Sequence, residues 1–426
     1  MRRKAVIVLG MHRSGTSTTS GILNILGFDL GKAIMGANEA NPKGFFENHR
    51  IMSYNEDLFK MLHVNWHNTV GLLEQWWNTT EIDLFTKRLT SLILDEFTFE
   101  SPLLFKDPRI CILLPIYLEA FKVLNIEPFF ILTYRNPDEV AESLKKRDNF
   151  SCHKSARIWI DHMLKAEKHT RNYPRIIIDY NYILADPIAA LKKMLSIFPL
   201  HLPISPVLQE QVIQFVEPAL NHCQRSRDSA PANNDLEFKW VYYIFKRITC
   251  CTITSEEQLE LDLYSNWFYS TFGSEKWPKV SVIVKARNEP EPLEKTIISV
   301  VSQDYPNIEF ILIDNGSEKE TLYVIEKYKY LLSGCLIMPA HGQFDGMKQL
   351  IGTASGDWIT FLNAGDSFIH KDSLWEFIRL LSNECIPDIG FGIHEDQTTE
   401  GYWQTRRSEK RWKVRLLWMS SLFIRS

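Results

Sequence analysis

The sequence predicts an α/β protein with two domains, the first of them built on a parallel sheet covered by helices. Short apolar, β-rich runs alternate with helical stretches between residues 5 and 225. A polar stretch with Ala and Pro interrupts this pattern near residues 221–234, and a second strand–helix alternation begins at Val280. The length of 426 residues is comfortable for two domains.

The first domain is assigned to residues 1–225. Its predicted strands are Ala5–Leu9, Leu103–Phe105, Phe129–Tyr134 and Arg175–Tyr180, and its predicted helices include Thr16–Leu26, Glu139–Lys146 and Ala189–Ile197. Apolar strands joined by helices favour a parallel sheet with both faces covered.

The second domain is assigned to residues 277–426, after a linker and helical connector at residues 226–276. The connector is rich in Trp and Tyr, and the sequence does not indicate which domain it packs on. In the second domain, Val280–Val284, Phe310–Ile313 and Asp357–Leu362 are predicted strands, and Pro292–Gln303 is a predicted helix.

The composition limits the classes of partner. The net charge of −4 gives no general case for nucleic acid or an anionic membrane, so an anion must be bound by a local site. The seven cysteines are scattered and odd in number, which favours reduced thiols. No apolar run approaches the ~20 residues of a transmembrane helix. We therefore expect a cytoplasmic protein, with peripheral attachment to a membrane as the alternative.

A glycine loop follows the first predicted strand. Two glycines flank four residues, which is the spacing of a phosphate-binding loop at a helix N-terminus. Its candidate anion-binding residues are Gly10, His12, Arg13, Ser14, Gly15, Thr16 and Ser17. His12 is the least specific, since it could also simply pack. Thr16 stands where an ATPase or kinase loop has its lysine, which argues against a γ-phosphate donor.

The loop resembles the 5′-phosphosulfate loop of a bacterial sulfotransferase family that uses 3′-phosphoadenylyl sulfate (PAPS). Residues 38–47, Lys106-Asp107-Pro108-Arg109, Tyr134-Arg135-Asn136-Pro137 with Ser143, and residues 215–222 resemble further segments of that family. The resemblance covers about residues 5–225. It implies a P-loop-like, parallel-sheet sulfotransferase domain that transfers a sulfonate group from PAPS to a hydroxyl.

The chemistry of PAPS favours a role for several of these residues. Its 3′-phosphate, which ATP lacks, suits an arginine fork from Arg135 with Ser143 on the next helix. Arg13 and Lys106 can supply positive charge to the sulfonate and the departing phosphate oxygen.

A general base is also needed for the acceptor hydroxyl. Glutamate serves as that base in several sulfotransferase families, which predicts Glu47, with Glu39 as the reserve candidate. Each residue also has a plain structural interpretation: Glu47 could cap a helix, Arg135 could be a surface cation, and Lys106-Asp107-Pro108 could be a turn.

The second domain resembles the inverting GT-A glycosyltransferases of family 2. The resemblance rests on residues 278–289, 296–306, 311–317, 345–348, 354–357 and 361–366, the last being a metal loop that has lost the first acid of its Asp-x-Asp. It implies a Rossmann-like GT-A fold that binds a nucleotide-sugar donor with Mg²⁺ or Mn²⁺. Asp314 is then expected to contact the nucleotide base, Asp345 the ribose or sugar, and Asp366 the metal, with Asn363 nearby.

Departures from this family matter. Lys285-Ala286-Arg287 replaces the usual Pro-Thr-Tyr, and Asn315 replaces a common Asp. The sequence continues only about 60 residues beyond Asp366, so the second domain is expected to be partial and its base is not assigned.

Together these features predict a sulfotransferase that acts on a hydroxyl of a glycan or glycosylated acceptor, with an attached glycosyltransferase domain. Two alternatives stay open: a P-loop kinase or NTPase, and a non-catalytic nucleotide-binding scaffold with glycosyltransferase activity only. A carbohydrate or glycolipid is the expected acceptor. The aromatic residues Trp66, Trp76 and Trp77 could stack on a sugar or belong to a core.

Overall fold

The computed structural model describes residues 3–36, 44–72, 76–198, 203–216, 236–251, 253–273, 277–337, 354–381, 389–392 and 415–419. The chain divides into two compact units. Unit 1 comprises residues 1–58, 73–144 and 155–268, and unit 2 comprises residues 59–72, 145–154 and 269–426.

The sheet of unit 1 has four parallel strands in the order β2-β1-β3-β4. They are β1 (Arg3–Leu9), β2 (Leu103–Lys106), β3 (Ile126–Tyr134) and β4 (Arg175–Asp179). β1 is buried over its last five residues and β2 over its whole length, which agrees with their continuous apolar sequences. The predicted parallel α/β architecture is confirmed.

Helices connect and cover these strands. Those before the second sheet are α1 (Thr16–Ile25), α2 (His49–Met61), α3 (Thr80–Glu96), α4 (Ile110–Val123), α5 (Pro137–Asp148), α6 (Cys152–Thr170), α7 (Tyr180–Ala185), α8 (Pro187–Leu195), α9 (Pro206–Phe215), α10 (Leu236–Arg247) and α11 (Ser255–Phe272). Strand residues such as Val6 and Ile131 form one core with Ile22 of α1 and Leu191 of α8.

The connector packs on unit 1, which the sequence left open. Phe245 of α10 lies 5.7 Å from Tyr134 of β3, measured between ring centroids. The Cys250 N–H, just after α10, donates to the Ile177 carbonyl of β4 at 2.8 Å. The connector therefore extends the first unit.

The sheet of unit 2 has six parallel strands in the order β7-β6-β5-β8-β10-β9. They are β5 (Val280–Ala286), β6 (Ile308–Asp314), β7 (Gly334–Ile337), β8 (Trp358–Asn363), β9 (Ile389–Gly392) and β10 (Arg415–Met419). The accompanying helices are α12 (Pro290–Val301), α13 (Lys319–Tyr328) and α14 (Ser373–Leu381). The three predicted strands of this region are present: β5 and β6 are longer than predicted, and β8 begins and ends one residue later than predicted.

Two short segments from earlier in the chain belong to unit 2. In residues 59–72, the Asn65 side-chain amide donates to the Leu331 carbonyl at 3.0 Å, and Trp66 is fully buried. In residues 145–154, Lys154 donates to the Val301 carbonyl, and the Asn149 carbonyl accepts from Ser302 at 2.9 Å. Trp66 is thus a core residue, which was one of its two interpretations.

Within the part of the chain that the structure describes, no helix is long and apolar enough to cross a membrane. The described cysteines Cys111, Cys152, Cys250, Cys251 and Cys335 are free thiols.

Candidate donor-binding sites

The glycine loop lies between β1 and α1, and close backbone approach requires its two glycines. Gly10 has φ 152°, and a Cβ there would lie 2.3 Å from the Thr133 carbonyl oxygen. Gly15 has φ 90°, and a Cβ there would lie 2.2 Å from the Tyr180 ring. A side chain at either position would collide, so the loop is held tightly against β3 and α7.

The loop has a side-chain hydroxyl that could bind an anion. Ser14 is fully buried, and its Oγ has no hydrogen-bond partner among the described residues. Buried hydroxyls are nearly always paired, so an unpaired one beside a helix N-terminus fits a bound anionic group. Thr16 is buried at the first position of α1, while Arg13 is exposed and His12 partly buried.

The structure brings together residues predicted for different parts of the donor. Arg13 Nε donates to Ser143 Oγ at 2.8 Å, joining the loop to α5. Arg135, which follows β3, donates from Nε to Glu139 Oε2 at 2.6 Å, and its guanidinium lies 5.3 Å from the centroid of the Tyr180 ring. Arg135 is only 8% exposed, so it is not the solvated surface cation of its plain interpretation.

Lys106 and Glu47 form a buried ion pair. Their side chains are 3% and 8% exposed, and the Lys106 ammonium donates to Glu47 Oε1. The same ammonium donates to Ser17 Oγ at 3.2 Å and to the Phe45 carbonyl at 3.0 Å. All three N–H groups of the lysine thus have acceptors, one of them in the glycine loop. The predicted base and the predicted sulfonate-binding lysine are therefore in direct contact.

A polar network braces Asp107, the residue after Lys106. Asp107 is buried and accepts from Asn55 at 3.0 Å and from Arg109 Nη1 at 3.0 Å, and Asn55 in turn accepts from Tyr117 at 2.8 Å. Burial lowers the pKa of Arg109, but the carboxylates of Asp107, Glu56 and Glu47 raise it to a net value above the ordinary one. The Asn55 and Tyr117 contacts had no local sequence signal, because they depend on the packing of α2 against α4.

Some predicted residues lie outside the described residues. These are Glu39 and its neighbours at 37–43, Asp345 within 338–353, and most of the segment 215–222.

In unit 2, Asp314 ends β6 at the carboxyl edge of the sheet. It is fully buried, and its Oδ2 accepts from the Ser317 N–H at 3.0 Å. Its Oδ1 is buried without a partner among the described residues. A buried carboxylate oxygen with free lone pairs suits a donor such as the N–H of a nucleotide base.

Asp366 follows β8 in a turn. Its Oδ2 accepts from the backbone and side-chain N–H groups of Asn363 at 2.7 and 3.2 Å. The turn is fixed by Gly365, whose N–H donates to Thr296 Oγ1 at 2.9 Å. The described residues hold no group of three or more His, Cys, Asp or Glu side chains arranged for a metal. A divalent ion here would need phosphate and water oxygens besides one carboxylate, which is common for Mg²⁺.

Part of unit 2 matches a known family. Residues 281–422 match the model of glycosyl transferase family 2. An uncharacterized glycosyltransferase of Mycobacterium tuberculosis strain H37Rv is 33% identical over 119 residues, which is 27% of this chain and 45% of that protein. A PGL/p-HBAD biosynthesis glycosyltransferase of strain H37Ra is 27% identical over 129 residues, 30% of this chain and 50% of that protein. The chain thus spans about half the length of the curated relatives it matches.

Two solved structures show weaker likenesses. The sulfotransferase domain of the olefin synthase from Synechococcus PCC 7002 is 15% identical with a TM-score of 0.29, over 63% of this chain and 94% of that one. Staphylococcus aureus TarS residues 1–349 are 23% identical with a TM-score of 0.26, over 30% of this chain and 38% of that one. The α/β class rests on the two parallel sheets rather than on these likenesses, and residues 281–422 are the part of the chain that matches glycosyl transferase family 2, called the family 2 region below.

Proposed function

We propose that unit 1 transfers a sulfonate group from PAPS to a hydroxyl of a glycan or glycosylated acceptor. The observation that carries this proposal is the buried Lys106–Glu47 pair bonded to Ser17 of a glycine loop without the ATPase lysine. This arrangement provides an anion cradle, a cation and a carboxylate within one contact network.

Different residues would hold the two phosphate-bearing ends of PAPS. Arg13, Ser14 and the backbone N–H groups of the loop would hold the 5′-phosphosulfate, and Arg135 with Ser143 would hold the 3′-phosphate. PAPS supplies the sulfonate, whose bond to the acceptor oxygen forms as its bond to the phosphate oxygen breaks.

Lys106 and Glu47 serve the reacting atoms themselves. Lys106 stabilises the negative charge on the departing phosphate oxygen, because its ammonium already contacts the loop through Ser17. Glu47 accepts the proton of the acceptor hydroxyl, a role that typically contributes ~10²–10⁴-fold in rate.

Calorimetric titration of the full chain tests the donor class. We expect 3′-phosphoadenosine 5′-phosphate (PAP) to bind more tightly than ADP or ATP. Arg135→Ala should weaken PAP binding by about 10- to 100-fold, since hydrogen bonds to charged groups contribute roughly 1.5–3 kcal/mol. Arg135→Lys, which keeps the charge and loses the fork, is the matched control and should weaken it less.

The same titration, beside an assay of sulfonate transfer, decides between the alternatives. Tighter binding of magnesium-ATP than of PAP would replace the proposal with a P-loop kinase or NTPase. Tight PAP binding without transfer to any acceptor would favour a nucleotide-binding scaffold.

A second activity is proposed for unit 2: binding of a nucleotide-sugar donor with Mg²⁺ or Mn²⁺, and glycosyl transfer. The unpaired Oδ1 of Asp314 within the family 2 region favours it. Asp314 would contact the nucleotide base, and Asp366 would hold the ion that neutralises the donor diphosphate.

Titration with UDP and GDP in the presence of Mn²⁺ tests this activity. We expect Asp314→Asn to weaken binding of the preferred nucleotide by about 10-fold, the cost of one lost hydrogen bond to a charged group. Chelation with EDTA should weaken it in the unsubstituted protein as well. Nucleotide affinity that is unchanged in both experiments would contradict the assignment.

A further inference from the structure

The backbone beside Glu47 is held in an uncommon conformation. Phe46 has φ 54°, a left-handed conformation that is strained for a bulky residue. The Glu47 carbonyl accepts from the Met35 N–H at 2.8 Å, and the His49 N–H donates to the Ala33 carbonyl at 2.7 Å. These bonds attach the base to residues 33–35, which therefore must themselves be fixed.

Asn48, the next residue, has every part of its amide engaged. Its Oδ1 accepts from the N–H groups of Arg50 and Ile51, each at 3.1 Å, and so caps the start of α2. Its Nδ2 donates to Glu96 Oε2 at 2.6 Å. The orientation of the residue that follows the base therefore depends on Glu96.

Glu96, at the end of α3, connects three segments. Besides Asn48, its Oε2 accepts from the Ala33 N–H at 3.0 Å, and its Oε1 accepts from Arg50 Nη1 at 2.7 Å. The residue is 2% exposed. Burial raises the pKa of its carboxyl, but the hydrogen bonds from Asn48, Ala33 and Arg50 lower it to a net value below the ordinary one. Glu96 thus accepts these bonds as a carboxylate at neutral pH.

We propose that Glu96, acting through Asn48 and the Ala33 backbone, is the positioning residue that fixes Glu47 against Lys106. Among the described residues, Glu96 has no hydrogen bond to the Glu47 side chain; its side chain bonds to Asn48, Ala33 and Arg50. It acts on two backbone segments that hold the base. One is residues 33–35, which bond to Glu47 and His49, and the other is the first turn of α2. The inference rests on the proposed sulfonate transfer with Glu47 as the base.

The test compares Glu96→Gln with Asp95→Asn in the full chain. Glu96 Oε2 accepts from both Asn48 Nδ2 and the Ala33 N–H, and Oε1 accepts from Arg50 Nη1. The NH₂ group of the glutamine must therefore face either that pair of donors or the Arg50 guanidinium, and each bond that remains loses the charge of its acceptor. Asp95 is the matched control because it also reaches Arg50, at 3.4 Å, and is 69% exposed. The assay follows labelled sulfonate from PAPS to p-nitrophenyl glycosides, beside PAP binding and hydrogen–deuterium exchange of the amides in residues 33–52.

For Glu96→Gln we expect kcat to fall about 10- to 100-fold, because a misplacement of ~1 Å can cost about 10² in rate. The KM for PAPS and the affinity for PAP should stay within about twofold of their values in the unsubstituted protein. A general loss of folding would instead change both together with kcat. The Met35 and His49 amides should exchange faster than in the unsubstituted protein. Asp95→Asn should change none of these.

Three results would overturn the inference: an unchanged kcat, a PAP affinity that falls together with kcat, or unchanged exchange at Met35 and His49. Failure of the proposed function would differ from these, since the unsubstituted protein would then neither bind PAP nor transfer sulfonate. Even then, the exchange measurement would decide whether Glu96 holds the backbone at Glu47.

Discussion

Both units place their candidate residues at the carboxyl ends of parallel strands, but with opposite charge. In unit 1 the strand-end residues are Lys106 and Arg135, and each is bonded to a glutamate of the same unit. In unit 2 they are Asp314 and Asp366, and Asp314 keeps one buried oxygen without a partner among the described residues. This difference fits the two proposed donors: unit 1 would meet an anionic donor with its own cations, whereas unit 2 would use a divalent ion.

The largest expected effect follows from removing Lys106, the most buried strand-end cation of unit 1. Lys106→Ala should abolish most transfer, by about 10²–10³-fold, since removing one donor from a developing anion has that cost. It should also lower the free energy of unfolding by roughly 3–5 kcal/mol, because Glu47 is left buried and unpaired. Labelled sulfonate transfer and urea unfolding of the full chain measure the two effects.

The controls separate the two effects of this substitution. Lys106→Met combined with Glu47→Gln removes both charges and should restore most of the stability without restoring transfer. Asp314→Asn removes a buried strand-end charge that has no ion pair among the described residues. Relief of its desolvation should offset the weakened bond from the Ser317 N–H, so we expect a cost of less than about 1 kcal/mol of stability. A stability loss as large as that of Lys106→Ala would contradict the difference between the units.

A smaller effect concerns a second buried lysine, Lys154 of unit 2. Burial lowers its pKa to about 7, although the carboxylates of Asp304 and Asp148 oppose that shift. Between about pH 7 and the ordinary lysine pKa of ~10.4, the folded protein has lost this proton and the unfolded chain has not, so stability rises with pH in that window. Below about pH 7 both states are protonated and the cost of the buried charge is complete.

We therefore expect Lys154→Met to flatten the rise of stability between pH 7 and pH 10, measured by urea unfolding at a series of pH values. Lys165→Met should flatten it less, because burial lowers the pKa of Lys165 as well but its pairing with Asp161 at 2.8 Å opposes that shift. An unchanged slope in Lys154→Met would mean that the lysine keeps an ordinary pKa.

The sequence predicted the strands and the glycine loop because both depend on local pattern. Continuous apolar runs gave the positions of β1 and β3, and the two glycines flanking four residues gave the loop. The sequence predicted that Glu47 and Lys106 serve the same site, but not that their side chains are in contact. Asn48 and Glu96 gave no signal, since a single polar residue at the end of a helix is ordinary in any sequence.

The assembly of unit 2 from three stretches of chain was likewise not predictable. Residues 59–72 and 145–154 lie among elements of the first domain, and no change in composition separates them. Their membership depends on long-range hydrogen bonds such as those from Asn65 to Leu331 and from Lys154 to Val301. The local pattern of apolar and polar residues carries no information on pairs that lie this far apart in the sequence. The connector, whose position the sequence left open, shows the same limit.

The discontinuous composition of unit 2 has a consequence during protein synthesis. Lys154 precedes its partner Val301 by 147 residues. At a translation rate of ~5–20 residues per second, about 7–30 s pass between the synthesis of Lys154 and that of Val301. During this interval residues 59–72, with Trp66, and residues 145–154 have no sheet to pack on. Nascent chains halted before β5 should therefore expose an apolar stretch that chaperones bind, even when the four strands of unit 1 have already paired.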